Sequence, residues 1–431
     1  MRLSIPVNVV SGPEAVAAAG LPARGAGRVA LRASRESRGA MPVVRWLFYA
    51  FVFSLPFETV NSGPVEPPMI FGGLLLASAL LQPGLFLRRP PRAFWCFVVY
   101  AYLFILMCVL EPAAHRPEAT HRVLLLVQLT GLGWMAYCLM LEGRVAERAL
   151  LALVAACAAL ALLQATGIAA HRVDVGGRVE RVTALGFHPN NLARILSIGL
   201  LALVGLTHGR ARALLRPAYM AWGLFALMGA ALVQTGSRGA LIALCAGLTA
   251  FVMRGGGVLT KLRNALGVLL VVAFLVWVAS QSEIMRARFE RTLEEGDLAR
   301  REQIYPSSWG MFQERPLAGW GPISSAYELG SRLGHPEEDS KNPHNLILYA
   351  LVSTGLAGAV PLFAGIALAA LAAWRARRGP QGVLPLALVV ALLAANMSGV
   401  WLFNKLHWLV MAYALASNHR VRLRKEKRLI H

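Results

Sequence analysis

Three residues in the second half of the chain have the types and settings that chemistry at a membrane surface requires. Arg238 stands in Gln234-Thr235-Gly236-Ser237-Arg238-Gly239-Ala240, between glycines that let backbone or a ligand come close. That turn is short and carries no carboxylate, so its guanidinium wants an anion from elsewhere, and a phosphate matches the planar fork. The plainer reading is an arginine at a span end snorkelling to the headgroups. Arg301 follows Arg300 and lies near Asp297 and Glu302, which leaves a structural ion pair and a ligand contact both open. His344 falls in Pro343-His344-Asn345 at the mouth of a long apolar helix, where a proline is a normal opening. A neutral imidazole there accepts a proton near pH 7, against the plainer reading of a core or interfacial histidine.

Other constellations are missing. The chain has no Ser-His-Asp order, no His-Glu-x-x-His helix, no Gly-rich phosphate loop and no Asp-x-Asp pair in its polar loops. Glu337, Glu338 and Asp339 form an acidic run that reads as a solvated loop rather than a metal site. The expectation is therefore no metal and no cofactor. Arginine and imidazole alone suit an already activated substrate with a diphosphate leaving group.

The body that positions these residues is greasy. With 57% hydrophobic and 15% charged residues among 431, and a positive mean hydropathy, the chain reads as an all-α polytopic membrane protein. About twelve spans are expected, beginning near residues 43, 67, 93, 122, 147, 190, 217, 239, 264, 345, 382 and 405, the second and eighth of them short. In domain terms, 1–40 is a basic tail without regular structure, 41–281 holds spans one to nine, 282–343 is a long loop, 344–418 holds spans ten to twelve, and 419–431 is a second basic tail. The start, broken by Pro6, Pro13 and Pro22, forms no signal-peptide core. A net charge of +21 would suggest nucleic acid in a soluble protein. Here Lys and Arg cluster between apolar runs, where topology and anionic lipid account for them, and no nucleic-acid partner is expected. The five cysteines all lie in apolar runs and read as free, buried thiols.

Charge also orients the chain. One alternating set of loops carries Arg88, Arg89 and Arg92; Arg144 and Arg148; Arg210, Arg212 and Arg216; Arg254, Lys261 and Arg263; and Arg375, Arg377 and Arg378. The positive-inside rule puts these and both termini in the cytoplasm. His171 to Asn191, Gln234 to Gly239 and the loop from about Gln281 to Pro343 then face outward, so the working face is extracytoplasmic. Glu283 to Arg291 and Arg301 to Glu314 are expected to form interfacial helices within that loop.

Several short runs, taken in order, carry a resemblance. Ser237-Arg238-Gly239-Ala240, Arg301 four residues before Tyr305, Pro316-Leu317-Ala318-Gly319-Trp320-Gly321, Pro343-His344-Asn345 and Gly355-Leu356-Ala357-Gly358 resemble the signature of the O-antigen ligase and polymerase superfamily. Gly186-Phe187-His188-Pro189-Asn190-Asn191 is similar to the family's earlier outer-face segment. The resemblance implies a metal-independent glycosyltransferase of the bacterial inner membrane, taking O-antigen from undecaprenyl diphosphate and joining it to the lipid A core at the periplasmic face. By the same resemblance Arg238 and Arg301 hold the diphosphate, His344 activates the acceptor hydroxyl, and Asn345, His188 and Asn190 help bind substrate. Tyr305 departs from the Trp of many relatives, which leaves Arg300 open as the phosphate ligand in place of Arg301. A polymerase or a protein-glycosylating sister enzyme would share these residues. A transporter, the reading from a different class, would show ionisable residues near span centres and helices broken at the midplane.

Overall fold

The computed structural model describes residues 39–58, 66–168, 170–174, 180–207, 218–294, 300–334 and 340–430. The expected unstructured tail over residues 1–40 lies almost wholly outside them, as does the acidic run Glu337 to Asp339. Helices account for nearly all of what is described. In chain order they are α1 (Pro42–Ser54), α2 (Pro67–Ser78), α3 (Pro83–Phe86), α4 (Arg92–Val109), α5 (Arg116–Met140) and α6 (Gly143–Thr166). A hairpin of β1 (Ala170–Asp174) and β2 (Glu180–Ala184) comes next, then α7 (Pro189–Thr207), α8 (Ala218–Gln234), α9 (Arg238–Thr249) and α10 (Val258–Gln281). The remainder is α11 (Glu283–Glu294), α12 (Arg301–Glu314), α13 (Ser324–Arg332), α14 (Leu346–Ala376), α15 (Leu384–Asn396) and α16 (Lys405–Ile430).

Prolines open many of these helices, as at Pro42, Pro67, Pro83 and Pro189, where the missing N–H is one the first turn leaves unbonded in any case. Each of the twelve expected apolar runs contains a helix. Six of these helices, α4, α5, α6, α7, α10 and α14, are long and apolar enough to cross a membrane. Five more are shorter, among them α2 with 12 residues and α9, whose 12 residues continue through a 3-10 turn of 4 residues to Met253. Twelve residues rise only about 18 Å against roughly 30 Å of hydrocarbon, so helix length supports a multi-pass membrane protein but does not establish twelve crossings. The basic C-terminal segment continues α16 without a break as far as Ile430.

The antiparallel hairpin, paired from Ala170↔Ala184 to Asp174↔Glu180, corrects the expectation of a purely helical chain. It lies in the polar segment before α7, where two five-residue strands satisfy their backbone groups without a long apolar run. All five cysteines are free; Cys108, Cys138 and Cys157 are buried, while Cys96 and Cys245 are half-buried.

The bundle core is built from α7, α14, α15 and α16. In its most apolar stretch α7 is 72% buried, against 11% for the peripheral α10. Helix α14 packs on α4 and α16, and α9 lies along α15. Gly355 breaks α14 at φ 58° and ψ −164°. The segment after α12 fills the break: Leu356 N donates to Pro316 O at 2.8 Å and Ala357 N to Leu317 O at 3.0 Å, while Trp320 N donates to Val352 O at 2.8 Å and Gly321 N to Ser353 O at 3.1 Å. A Cβ on Gly355 would sit 2.3 Å from Leu317 O, so only glycine permits this approach. The interruption, one of the transporter marks, is thus closed by the protein's own backbone.

Candidate functional site

Helix α7 carries an arginine within its apolar length. Arg194 is 6% exposed, and its Nη2 donates to the carbonyl of Ser398 at 2.5 Å and to Ser398 Oγ at 3.2 Å. Its Nη1 reaches Asn191 Oδ1 at 3.4 Å, and its buried Nε has no partner among the described residues. Ser398 belongs to the turn between α15 and α16. A Cβ on the next residue, Gly399, would lie 2.4 Å from the Arg194 guanidinium, so the absence of a side chain there is what lets the cation reach the turn.

A second guanidinium meets the same carbonyl. Arg301 opens α12, and its Nη2 donates to Ser398 O at 3.1 Å while its Nε is also buried, with no partner among the described residues. One turn on, Tyr305 donates its hydroxyl to Met397 O at 3.2 Å, so the aromatic and Arg301 grip consecutive carbonyls of one turn. Arg300 is the helix cap, held at φ 61° with its side chain exposed. Of the two adjacent arginines, Arg301 is the one turned into the cluster.

Arg238 begins α9, half-buried. It takes part in an interaction within the protein, so the argument from a guanidinium without partners does not hold in that form. Its neighbour Gly239 touches the same turn, since a Cβ there would meet Ser398 Oγ at 2.4 Å. Ser398 therefore marks where the starts of α9 and α12 and the first turns of α7 converge.

His344 sits before α14 in the left-handed region, φ 52°, and its N–H donates to Asn342 Oδ1 at 2.8 Å. The ring is exposed on one side, yet protein crowds enough of it to strip water from the charged form. That desolvation, reinforced by the Arg301 and Arg194 charges, pushes its pKa below the ordinary 6.5. The imidazole is consequently neutral at pH 7, the state in which it accepts a proton.

Asn345 has a structural duty. Its Oδ1 caps α14 by accepting from Ile347 N at 2.8 Å and Leu348 N at 3.3 Å, which leaves only the amide nitrogen for a ligand. His188 is exposed, with Nδ1 accepting from Asn190 N at 3.3 Å. Asn190 is one turn before Arg194, on the same face of α7. Among the described residues, no group of three or more His, Cys, Asp or Glu side chains is arranged to hold a metal ion.

The geometry thus brings Arg301 and His344 together, sets Arg238 beside them through Gly239, and leaves Arg300 outside. Two parts of the site escaped the sequence reading. Arg194 carried a usable signal, a lone cation in an apolar helix with no acidic residue near it in sequence, and such residues mark function by default. The Met397-Ser398-Gly399 turn carried almost none, because its contribution is a backbone carbonyl.

No curated protein matches the chain. Residues 223–363 match the family model for O-antigen ligase, a stretch that includes Arg238, Arg301 and His344 and stops short of Arg194 and the Ser398 turn on either side. That match supports, for this chain, the O-antigen ligase and polymerase superfamily to which its motifs point.

Proposed function

We propose that the protein is an O-antigen ligase, an inverting glycosyltransferase that moves O-antigen polysaccharide from undecaprenyl diphosphate to the lipid A core at the periplasmic face of the bacterial inner membrane. The observation that carries this reading is the gathering of two guanidiniums, Arg194 and Arg301, with no carboxylate partner among the described residues, around one carbonyl beside a neutral His344. Arg301, with Arg194 behind it and Arg238 alongside, takes the charge that builds on the diphosphate as it leaves. His344 removes the proton of the acceptor hydroxyl. The acceptor oxygen bonds to the anomeric carbon as the carbon–oxygen bond to phosphate breaks on the opposite face, so the configuration inverts and no covalent enzyme intermediate forms. The energy resides in the donor's own sugar–diphosphate linkage, and the mechanism calls on no divalent metal.

A polymerase would use the same groups on a different acceptor. The lipopolysaccharide of a deletion strain separates the two: core-only lipid, with finished polymer accumulating on its carrier, is the expected result. Core bearing a single repeat unit would assign polymerase instead, and an unchanged banding pattern would remove both.

A further inference from the structure

A recess lies apart from the arginine cluster, between the end of α4 and the loop helices. It is a cleft of about 680 Å³ with Glu111 and His115 on one wall and Arg315, Trp320, Ser324 and Tyr327 on the other. None of Arg194, Arg238, Arg301 and His344 lines it.

The cleft is built, not a gap between loosely placed loops. Glu111 is 4% exposed, and its carboxylate accepts from Ile323 N at 2.8 Å, from Ser324 N at 3.2 Å and from Ser324 Oγ at 2.5 Å. An anion at the start of α13 satisfies amides that the helix leaves unbonded and pins the far wall to the membrane bundle. Gly321, at φ 96°, makes this possible, because a Cβ there would sit 2.6 Å from Glu111 Oε1. His115 stacks on Tyr327 with ring centres 4.5 Å apart and planes 8° from parallel. Its Nδ1 lies 3.0 Å from Ser324 Oγ, which leaves Nε2 for another partner. Arg315 lies over Trp320 at 4.0 Å and forms no salt bridge among the described residues. The neighbouring Arg332, by contrast, is committed to Glu314 and Glu328.

The mixture of groups narrows the ligand. The lining carboxylates, Glu111 and Glu328, lie in the same walls as Arg315 and weaken any selection for an anion, while the polar groups interrupt the apolar surface of Met107, Leu110 and Pro112 that a lipid chain would need unbroken. Guanidinium, imidazole and hydroxyl groups among aromatic rings suit a ligand with many hydroxyls and apolar C–H faces. The volume falls within the roughly 300–1,000 Å³ of ligand clefts, room for a short stretch of glycan. We propose that this cleft is a saccharide-binding subsite, holding glycan while transfer takes place at the arginine cluster. Its purpose rests on the transferase reading; its chemistry does not. Two glycans of that chemistry reach this face under that reading, the acceptor core and the donor chain.

Two variants test it on the full-length protein in lipid nanodiscs. Ser331→Trp fills the cleft from an exposed position, and Arg315→Ala removes the cation that lies over Trp320. The expected result is a rise of about tenfold in KM for one glycan, equivalent to ~1.4 kcal/mol, with kcat nearly unchanged. A rise confined to the core acceptor identifies an acceptor subsite, and one confined to the lipid-linked donor a donor subsite. Unchanged KM for both glycans in both variants overturns the proposal. Saturation-transfer NMR with lipid-free core oligosaccharide and lipid-free O-polysaccharide supplies a readout independent of catalysis. A signal present in wild type and lost in Ser331→Trp supports the subsite even if the protein transfers no sugar, in which case it is the transferase reading that fails. Equal signals in wild type and Ser331→Trp count against the subsite whether or not transfer occurs.

Discussion

Arg194 and Arg301 present two positive charges to one carbonyl oxygen with no carboxylate partner among the described residues, and each keeps a buried Nε without a hydrogen bond. Leaving charged donors unsatisfied is costly, and an anionic diphosphate is the kind of ligand that would offset the cost. If Arg301 grips phosphate through its planar fork, Arg301→Lys keeps the charge but loses the paired geometry. Donor affinity should then fall by roughly 30-fold, about 2 kcal/mol, while Arg300→Lys leaves it nearly unchanged. Equal losses at the two positions would mean that only net charge matters.

His344→Ala should abolish transfer and leave donor binding largely intact, since a base acts on the acceptor. The pH dependence carries a sign. The base works when neutral, protonation stops it as pH falls, and its lowered pKa keeps it working at pH values where an ordinary histidine is already charged. The acid limb of kcat/KM should therefore lie below pH 6.5 and move upward in Arg194→Met, with Arg194→Lys restoring it. An acid limb that does not respond to Arg194→Met would separate the titrating group from this cluster. Arg238, Arg301 and His344 stood out in the sequence as candidates because glycines, a proline and chain position singled them out, and the structure sets them near one another. Asn345 drew attention as a candidate ligand, and its second duty as the cap of α14 shows only in its hydrogen bonds, because asparagine suits both roles.

Among the elements, α14 and the Pro316–Gly321 segment form one unit. Both runs stand out in the sequence as family motifs, yet nothing in either shows that they bond to each other, because the four backbone hydrogen bonds join residues more than thirty apart. The bounds of α12 match the sequence expectation because a proline-rich turn ends it and a charged run precedes it. The hairpin was missed since His171-Arg172-Val173-Asp174 offers no clean alternation of apolar and polar residues, and α13 because its nine residues, though amphipathic, make only about two and a half turns. Gly355→Ala tests the unit directly. It forces a side chain into a conformation nearly restricted to glycine and against Leu317 O, at a cost of at least about 1–3 kcal/mol, so the thermal midpoint in detergent should fall by several degrees. Gly267→Ala, in α10 where an added Cβ meets no atom within 4 Å, should leave the midpoint unchanged or slightly raised. Equal midpoints for the two variants would show that the break in α14 does not anchor the loop.

At the scale of the whole molecule, composition declares a membrane protein, but the number of crossings is harder to read. Helices such as α2 and α9 are shorter than a bilayer is thick, and a short apolar helix either crosses in thinned lipid or stays within the protein interior. The mechanism needs less than a full count: it needs the Ser398 cluster and His344 on the face opposite the basic loops. Arg254 and Lys261 flank the α9–α10 connection, while Ser340 lies just before His344. Single cysteines at Gly256 and Ser340, both exposed, therefore report the two faces, and Gly256 has no atom within 4 Å of an added Cβ. In cells whose outer membrane alone is permeabilised, an impermeant thiol reagent should label Ser340→Cys and spare Gly256→Cys until the inner membrane is opened. The native thiols, buried or half-buried in apolar helices, give a low background. Labelling of Gly256→Cys alone would put His344 on the cytoplasmic side, away from any periplasmic acceptor. Labelling of both in intact inner membranes would mean that the segment from α10 to Ser340 returns to the face it left, and the charge asymmetry would then have to be explained by lipid contact instead of topology.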